Sequence, residues 1–129
     1  MKIEVEVVDA PLEQCVSRPP ASDSAGALAE FWGTVRDEER GAKIAALRYE
    51  AYGEMAKRQM ETILLELEKT FPCERVQVVH RQGWVQVNEA AIYIGVQARH
   101  RREAFGLLTA FMDRLKQDVP IWKTESKPC

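Results

Sequence analysis

The chain has 129 residues, 46% hydrophobic and 29% charged, a composition that belongs to a folded globular protein and excludes a disordered or fibrous one. Its 18 basic and 20 acidic residues leave a formal charge of -2, which gives no global field for steering toward nucleic acid, so any anion site has to be local. No apolar run approaches the roughly 18 residues that a membrane-spanning helix needs, and the acidic residues in Met1-Lys2-Ile3-Glu4-Val5-Glu6 speak against a signal peptide.

This length suits a single domain over 1-129, large enough to bury about two thirds of its unfolded surface without a staple. Cys15, Cys73 and Cys129 are too widely spaced for a zinc site and odd in number for a disulfide framework. Reduced thiols in a cytoplasmic protein are the expectation.

Ile3, Val5 and Val7 alternate with Glu4 and Glu6, the period of a strand with one buried face, and this strand is expected at a sheet edge. Pro11 to Val16 suits one short helix, stopped by the turn-rich Ser17-Arg18-Pro19-Pro20-Ala21-Ser22-Asp23-Ser24. Gly26 to Val35 reads as a second strand, although Leu28-Ala29-Glu30 also tolerates a helix. The charged stretch Arg36 to Lys43, with Gly41, reads as an exposed loop before Ile44, Leu47 and Tyr49 resume an extended pattern.

From Met55 the period changes to that of a helix, with Ala56, Met60, Ile63, Leu64, Leu67 and Phe71 on one face and Pro72 as its stop. Val76, Val78 and His80 then alternate with Gln77, Val79 and Arg81, and Gly83 interrupts before Trp84 to Val87, which predicts a bent or bulged strand. Beyond the turn at Asn88-Glu89, the residues Ile92, Ile94, Val96 and Ala98 give a strand that pairs antiparallel with it. A second helix follows, with Ala104, Phe105, Leu108, Phe111, Met112 and Leu115 inward, until Pro120 returns Ile121-Trp122-Lys123 to extended form. The order predicts an α+β protein, two main helices packed on a largely antiparallel sheet.

The densest basic feature is Arg99-His100-Arg101-Arg102, at the start of the second helix. Cations gain nothing from a helix N-terminus, whose amides already carry partial positive charge, so an anion held there is one explanation and a solvated turn paired to Glu103 or Glu125 is the other. Lys116 falls in the last turn of that helix, where the dipole favours it, while Lys123 in the following strand has no such local reason. A desolvated lysine beside other cations can act as base or nucleophile. His80 reads as a core histidine on the apolar side of its strand. No Ser/His/Asp set, glycine-rich phosphate loop or metal-ligand spacing is visible. The residues alone thus reach a small α+β domain with a candidate anion pocket of Arg36, His100, Arg101, Lys116 and Lys123, and stop short of a reaction.

Several ordered stretches carry a resemblance: Phe31-Trp32-Gly33-Thr34-Val35-Arg36, Leu47-Arg48-Tyr49-Glu50-Ala51-Tyr52 with Met55-Ala56, and His80-Arg81-Gln82-Gly83. They continue in Arg99-His100-Arg101 with Ala104-Phe105, then Leu115-Lys116 and Val119-Pro120-Ile121-Trp122-Lys123-Thr124-Glu125. Together, from about Gly26 to Glu125, these stretches resemble the large, catalytic subunit family of molybdopterin synthase.

The resemblance implies an α/β-hammerhead fold, and a homodimer within a heterotetramer in which each chain binds one small ubiquitin-like subunit. That partner's C-terminal Gly-Gly thiocarboxylate would deliver sulfur to cyclic pyranopterin monophosphate in two transfers, forming the dithiolene of molybdopterin, with no metal or cofactor held by this chain. By position it implies that Thr34, Val35, Arg36, His100, Arg101, Lys116, Lys123, Thr124 and Glu125 bind substrate, with Lys116 and Lys123 at the reacting centre. Both the cyclic phosphate and the thiocarboxylate call for cationic partners. Two departures stand out. Asn88-Glu89 replaces the Gly-Glu of many relatives, and the sequence stops at Cys129 where relatives extend and can supply basic residues across the dimer. The rival readings are a non-catalytic anion- or RNA-binding module and a small phosphate-ester hydrolase. The first conflicts with the net charge and the lack of interleaved aromatics, and the second lacks a nucleophile or metal site.

Overall fold

The computed structural model describes residues 1-129 as eleven elements: eight strands in two sheets, two helices on one face of the first sheet and one short 3-10 turn. Strands β1 (Lys2–Val8), β2 (Ala27–Thr34), β5 (Arg75–Arg81) and β7 (Ala90–Ala98) form the first sheet in the order β1-β5-β7-β2. Its pairs are antiparallel except β1 with β5, which run parallel with Val5 opposite Val78. The edge position expected for β1 is where it lies.

Helices α1 (Gly53–Glu68) and α2 (Arg101–Asp118) bury Ala56, Met60, Ile63 and Leu64 from one and Ala104, Leu107, Leu108 and Phe111 from the other. These meet Val5, Val76, Val78, Ile94 and Val96 in the main core. Burying each such side chain contributes roughly 1.5–3 kcal/mol, so this layer carries most of the hydrophobic stabilisation. Phe105, expected inward, is 59% exposed, and Leu107 takes its place. At about 100° per residue, Phe105 points away from the stripe set by Ala104, Leu108 and Phe111.

The opposite sheet face is also covered. The residues from Pro11 to Val16 form only a short 3-10 turn at Leu12–Gln14, because Pro11 and the prolines beyond leave no room for an α-helix, and Leu12 packs on Val79, Ala90 and Tyr93. Covered on both faces and flanked by β1 and β7, β5 buries every residue from Arg75 to His80. The buried Arg75 is offset by Glu4, whose Oε2 accepts from it at 2.8 Å.

The second sheet centres on β4 (Ala42–Ala51), which pairs antiparallel with β3 (Glu38–Glu39), β6 (Gly83–Gln86) and β8 (Ile121–Pro128). Here the structure departs from the sequence expectation in two ways. The charged stretch 36-43 is a tight hairpin, turned by Arg40 and Gly41 at φ of 52° and 81°, the left-handed pair that two-residue hairpin turns require. The single bent strand around Gly83 is instead two strands in different sheets, because Gly83 at φ 90° turns the chain from one to the other. Asn88 sits at φ 74°, a conformation asparagine tolerates nearly as a glycine would, so its presence in that turn is neutral. No helix is long and apolar enough to cross a membrane.

Candidate active site

Where the two sheets meet the C-terminal end of α2, the surface opens into a pocket of about 640 Å³. One wall comes from the end of β2 and the residues after it, with Thr34 and Arg36; another comes from Lys116 on α2 and Lys123 on β8. Tyr49 of β4 and His80 of β5 lie between them.

Each wall has a local cause. The ladder between β2 and β7 shifts register between Gly33 and Thr34, a local break in pairing that re-aims the side chains beyond it. The segment is then pinned: Val35 N–H donates to Glu89 O at 3.0 Å and its carbonyl accepts from Asn88 N–H at 2.9 Å. Val35 itself is 3% exposed and packs on Ile44, Leu47, Val85 and Ala91, so it holds Thr34 and Arg36 in place through its backbone rather than lining the pocket.

Lys116 stands in the last turn of α2, where unpaired carbonyls favour a cation, and it has no ion-pair partner. Lys123 is paired, its Nζ 3.3 Å from Glu39 Oε1. Both lysines and Arg36 are exposed, so the pocket is open to water.

His80 differs from its neighbours in the pocket. It shares the strand parity of Val76 and Val78, which points it to the helix side, at the strand end beyond which α2 gives no cover. Burial pushes its pKa down to about 4, against the opposing effect of a hydrogen bond to the Arg81 carbonyl at 2.9 Å, so the ring is neutral at physiological pH. Because a carbonyl only accepts, Nδ1 carries the proton. The Tyr49 ring stands edge-on at 5.5 Å, and its phenol is pushed up first by burial and then by Glu39. Alternation identified His80 as core but carried no sign that it borders a pocket.

His100 and Arg101 are elsewhere. They begin α2 beside a separate hollow of about 470 Å³ lined by Gly26 and Arg99 to Arg102. Sixteen helical steps of about 1.5 Å put His100 roughly 24 Å from Lys116, so one chain cannot gather them into the single pocket expected from sequence. Gly26 N–H bonds to the Ala98 and Arg99 carbonyls, both at 3.1 Å, and fixes this basic turn. The His100 side chain makes no cap hydrogen bond to the helix, which leaves first-turn amides free.

Thr124 and Glu125 lie on β8 outside the lining: Thr124 Oγ1 donates to Arg48 O at 3.5 Å, and Glu125 Oε1 accepts from Arg48 at 2.9 Å. None of the three free cysteines lines the pocket, and burial, followed by Glu103 and Glu68, pushes the Cys73 thiol up to about 11.

Fold and site together define a small α+β protein with a cationic pocket built between two sheets and a helix end. The family model described as MoaE protein matches residues 4–118, and the chain belongs to that family. It is 44% identical over 105 residues to the molybdopterin synthase catalytic subunit of Pyrococcus abyssi, covering 81% of this chain and 71% of that one. To the subunit of the same name from Oryza sativa subsp. indica it is 42% identical over 102 residues, 79% of this chain and 53% of the plant protein. The chain thus spans about half the length of the plant relative. The crystal structure of molybdopterin synthase from Staphylococcus aureus superimposes with a TM-score of 0.80 at 32% identity, over 95% of this chain and 93% of that chain. Molybdopterin cofactor biosynthesis protein E from Burkholderia multivorans gives 0.81 at 33% identity, over 99% and 86%.

Proposed function

We propose that residues 1-129 act as one domain, the catalytic subunit of a cytoplasmic molybdopterin synthase. In this reading a small ubiquitin-like subunit presents its C-terminal Gly-Gly thiocarboxylate, and sulfur passes to cyclic pyranopterin monophosphate to build the dithiolene. The observation that carries the reading is the convergence of Arg36, Lys116 and Lys123 on one open pocket from three separate parts of the chain. Family membership supports the same assignment.

The geometry suggests how the cations divide the work. Lys116, unpaired and on an ordered helix end, stabilises the charge that develops at the attacked carbon or attacks the acyl group left on the partner. Lys123, already balanced by Glu39, exchanges that carboxylate for the incoming thiocarboxylate and orients it. Arg36 and Thr34 hold the substrate phosphate. His100 and Arg101 can join them only from a second copy, which is the role we assign to the homodimer within the heterotetramer.

The test is reconstitution of the chain with a thiocarboxylated small subunit and cyclic pyranopterin monophosphate, assayed for molybdopterin. We expect product from the intact protein and a loss of about a hundredfold or more for Lys116→Ala with partner binding retained. No product from the intact protein, or normal turnover by Lys116→Ala, overturns the reading or the residue assignment respectively.

A further inference from the structure

Arg36, Lys116 and Lys123 only donate, the Thr34 and Tyr49 hydroxyls can donate or accept, and Asp113 accepts from an exposed position. His80 and Ala91 are the buried residues of the lining, so His80 carries its one buried side-chain acceptor. His80 Nδ1–H is committed to the Arg81 carbonyl at 2.9 Å, which fixes the tautomer and leaves Nε2 as a lone-pair acceptor. Nε2 has no partner in the protein, and it is not among the polar atoms sealed away from solvent without one. The bond to Arg81 favours this ring orientation, and Tyr49 packs edge-on against the ring at 5.5 Å.

We propose that His80 is a specificity-determining residue, whose Nε2 accepts a hydrogen bond from an N–H or O–H group of the pterin while Arg36 and Thr34 hold its phosphate. The inference rests on the synthase reading and extends it from the anionic end of the substrate to its heterocycle. Arg36 and Thr34 recognise any phosphate of suitable size, so they cannot tell a pterin monophosphate from inorganic phosphate. An acceptor fixed in the floor of the pocket can. A ligand bearing oxygen lone pairs at that point meets a lone pair, and a ligand without a donor leaves Nε2 unpaired.

Because His80 and the ring of phenylalanine are close in size, His80→Phe removes the acceptor while keeping the packing, and His80→Gln restores an acceptor oxygen near the Nε2 position. The measurement is binding of cyclic pyranopterin monophosphate and, separately, of inorganic phosphate to the full chain by calorimetry, with molybdopterin formation in the reconstituted complex alongside. For His80→Phe we expect pterin binding and KM to weaken about tenfold or more, phosphate binding to stay within about twofold, and His80→Gln to recover most of the pterin affinity. Equal weakening for both ligands, or a His80→Gln protein as impaired as His80→Phe, assigns His80 a packing role only and overturns the proposal while the synthase reading stands. An intact protein that neither binds the pterin nor makes product overturns both.

Discussion

His80 also makes the protein's stability depend on pH in a way that can be isolated. The imidazole has an ordinary pKa of 6.5 when unfolded and about 4 when folded, because burial penalises its charged form. The folded state therefore binds fewer protons, and protonation favours unfolding. The stabilisation is fully present above pH 6.5 and is lost as the pH falls toward 4. With 1.36 kcal/mol for each pH unit, the loss from this group is about 2 kcal/mol by pH 5 and about 3 kcal/mol at pH 4. Urea unfolding of the wild-type chain and of His80→Gln between pH 7.5 and 4 measures it. The carboxylates that titrate in this range, including Glu74, which the Ser22 and Ser24 hydroxyls hold below its usual pKa, are common to both proteins and cancel in the difference. The gap in unfolding free energy between the two proteins should change by roughly 3 kcal/mol across the range, with unchanged denaturant slopes. Parallel pH profiles would refute the reasoning, because they would mean that the folded protein accommodates the imidazolium as well as water does.

Single substitutions at Glu39 and Gly95 give two further outcomes. Glu39→Gln should free Lys123 and tighten inorganic phosphate binding about threefold, the worth of one exposed ion pair; it should also lower the Tyr49 phenol pKa in a spectrophotometric titration. Phosphate binding that is unchanged or weaker would show that the pair does not compete with ligand. At Gly95, a Cβ would meet the Tyr93 hydroxyl and come within 2.9 Å of its ring carbon Cζ, displacing a phenol that donates to Glu30 at 2.6 Å. Gly95→Ala should thus cost about 1–3 kcal/mol in denaturant unfolding, and a cost below about 0.5 kcal/mol would mean that the Tyr93 ring shifts freely.

Both helices and the strands of the first sheet were legible in the sequence, since Ala56-Met60-Ile63-Leu64 and Ile92-Ile94-Val96 repeat at 3.6 and 2 residues, periods that depend only on local backbone geometry. The motifs that mark the family were equally legible, because they are strings of neighbouring residues. Lys116 and Lys123 could be named from them, and so could Thr34 and Arg36.

What the sequence could not determine is which residues meet across space. Gly83 at φ 90° moves the chain from one sheet to the other, and no hydropathy period records that step. That change of sheet, with β8 returning alongside β4, brings Lys123 and Tyr49 to the end of α2 and leaves His80 at the pocket floor. The length of the same helix decides the opposite outcome for His100 and Arg101: a rigid rod of about 1.5 Å per residue holds them away from Lys116, however closely the motifs associate them. Residue types and periods follow from local chemistry, whereas the pocket follows from the path of the chain between them.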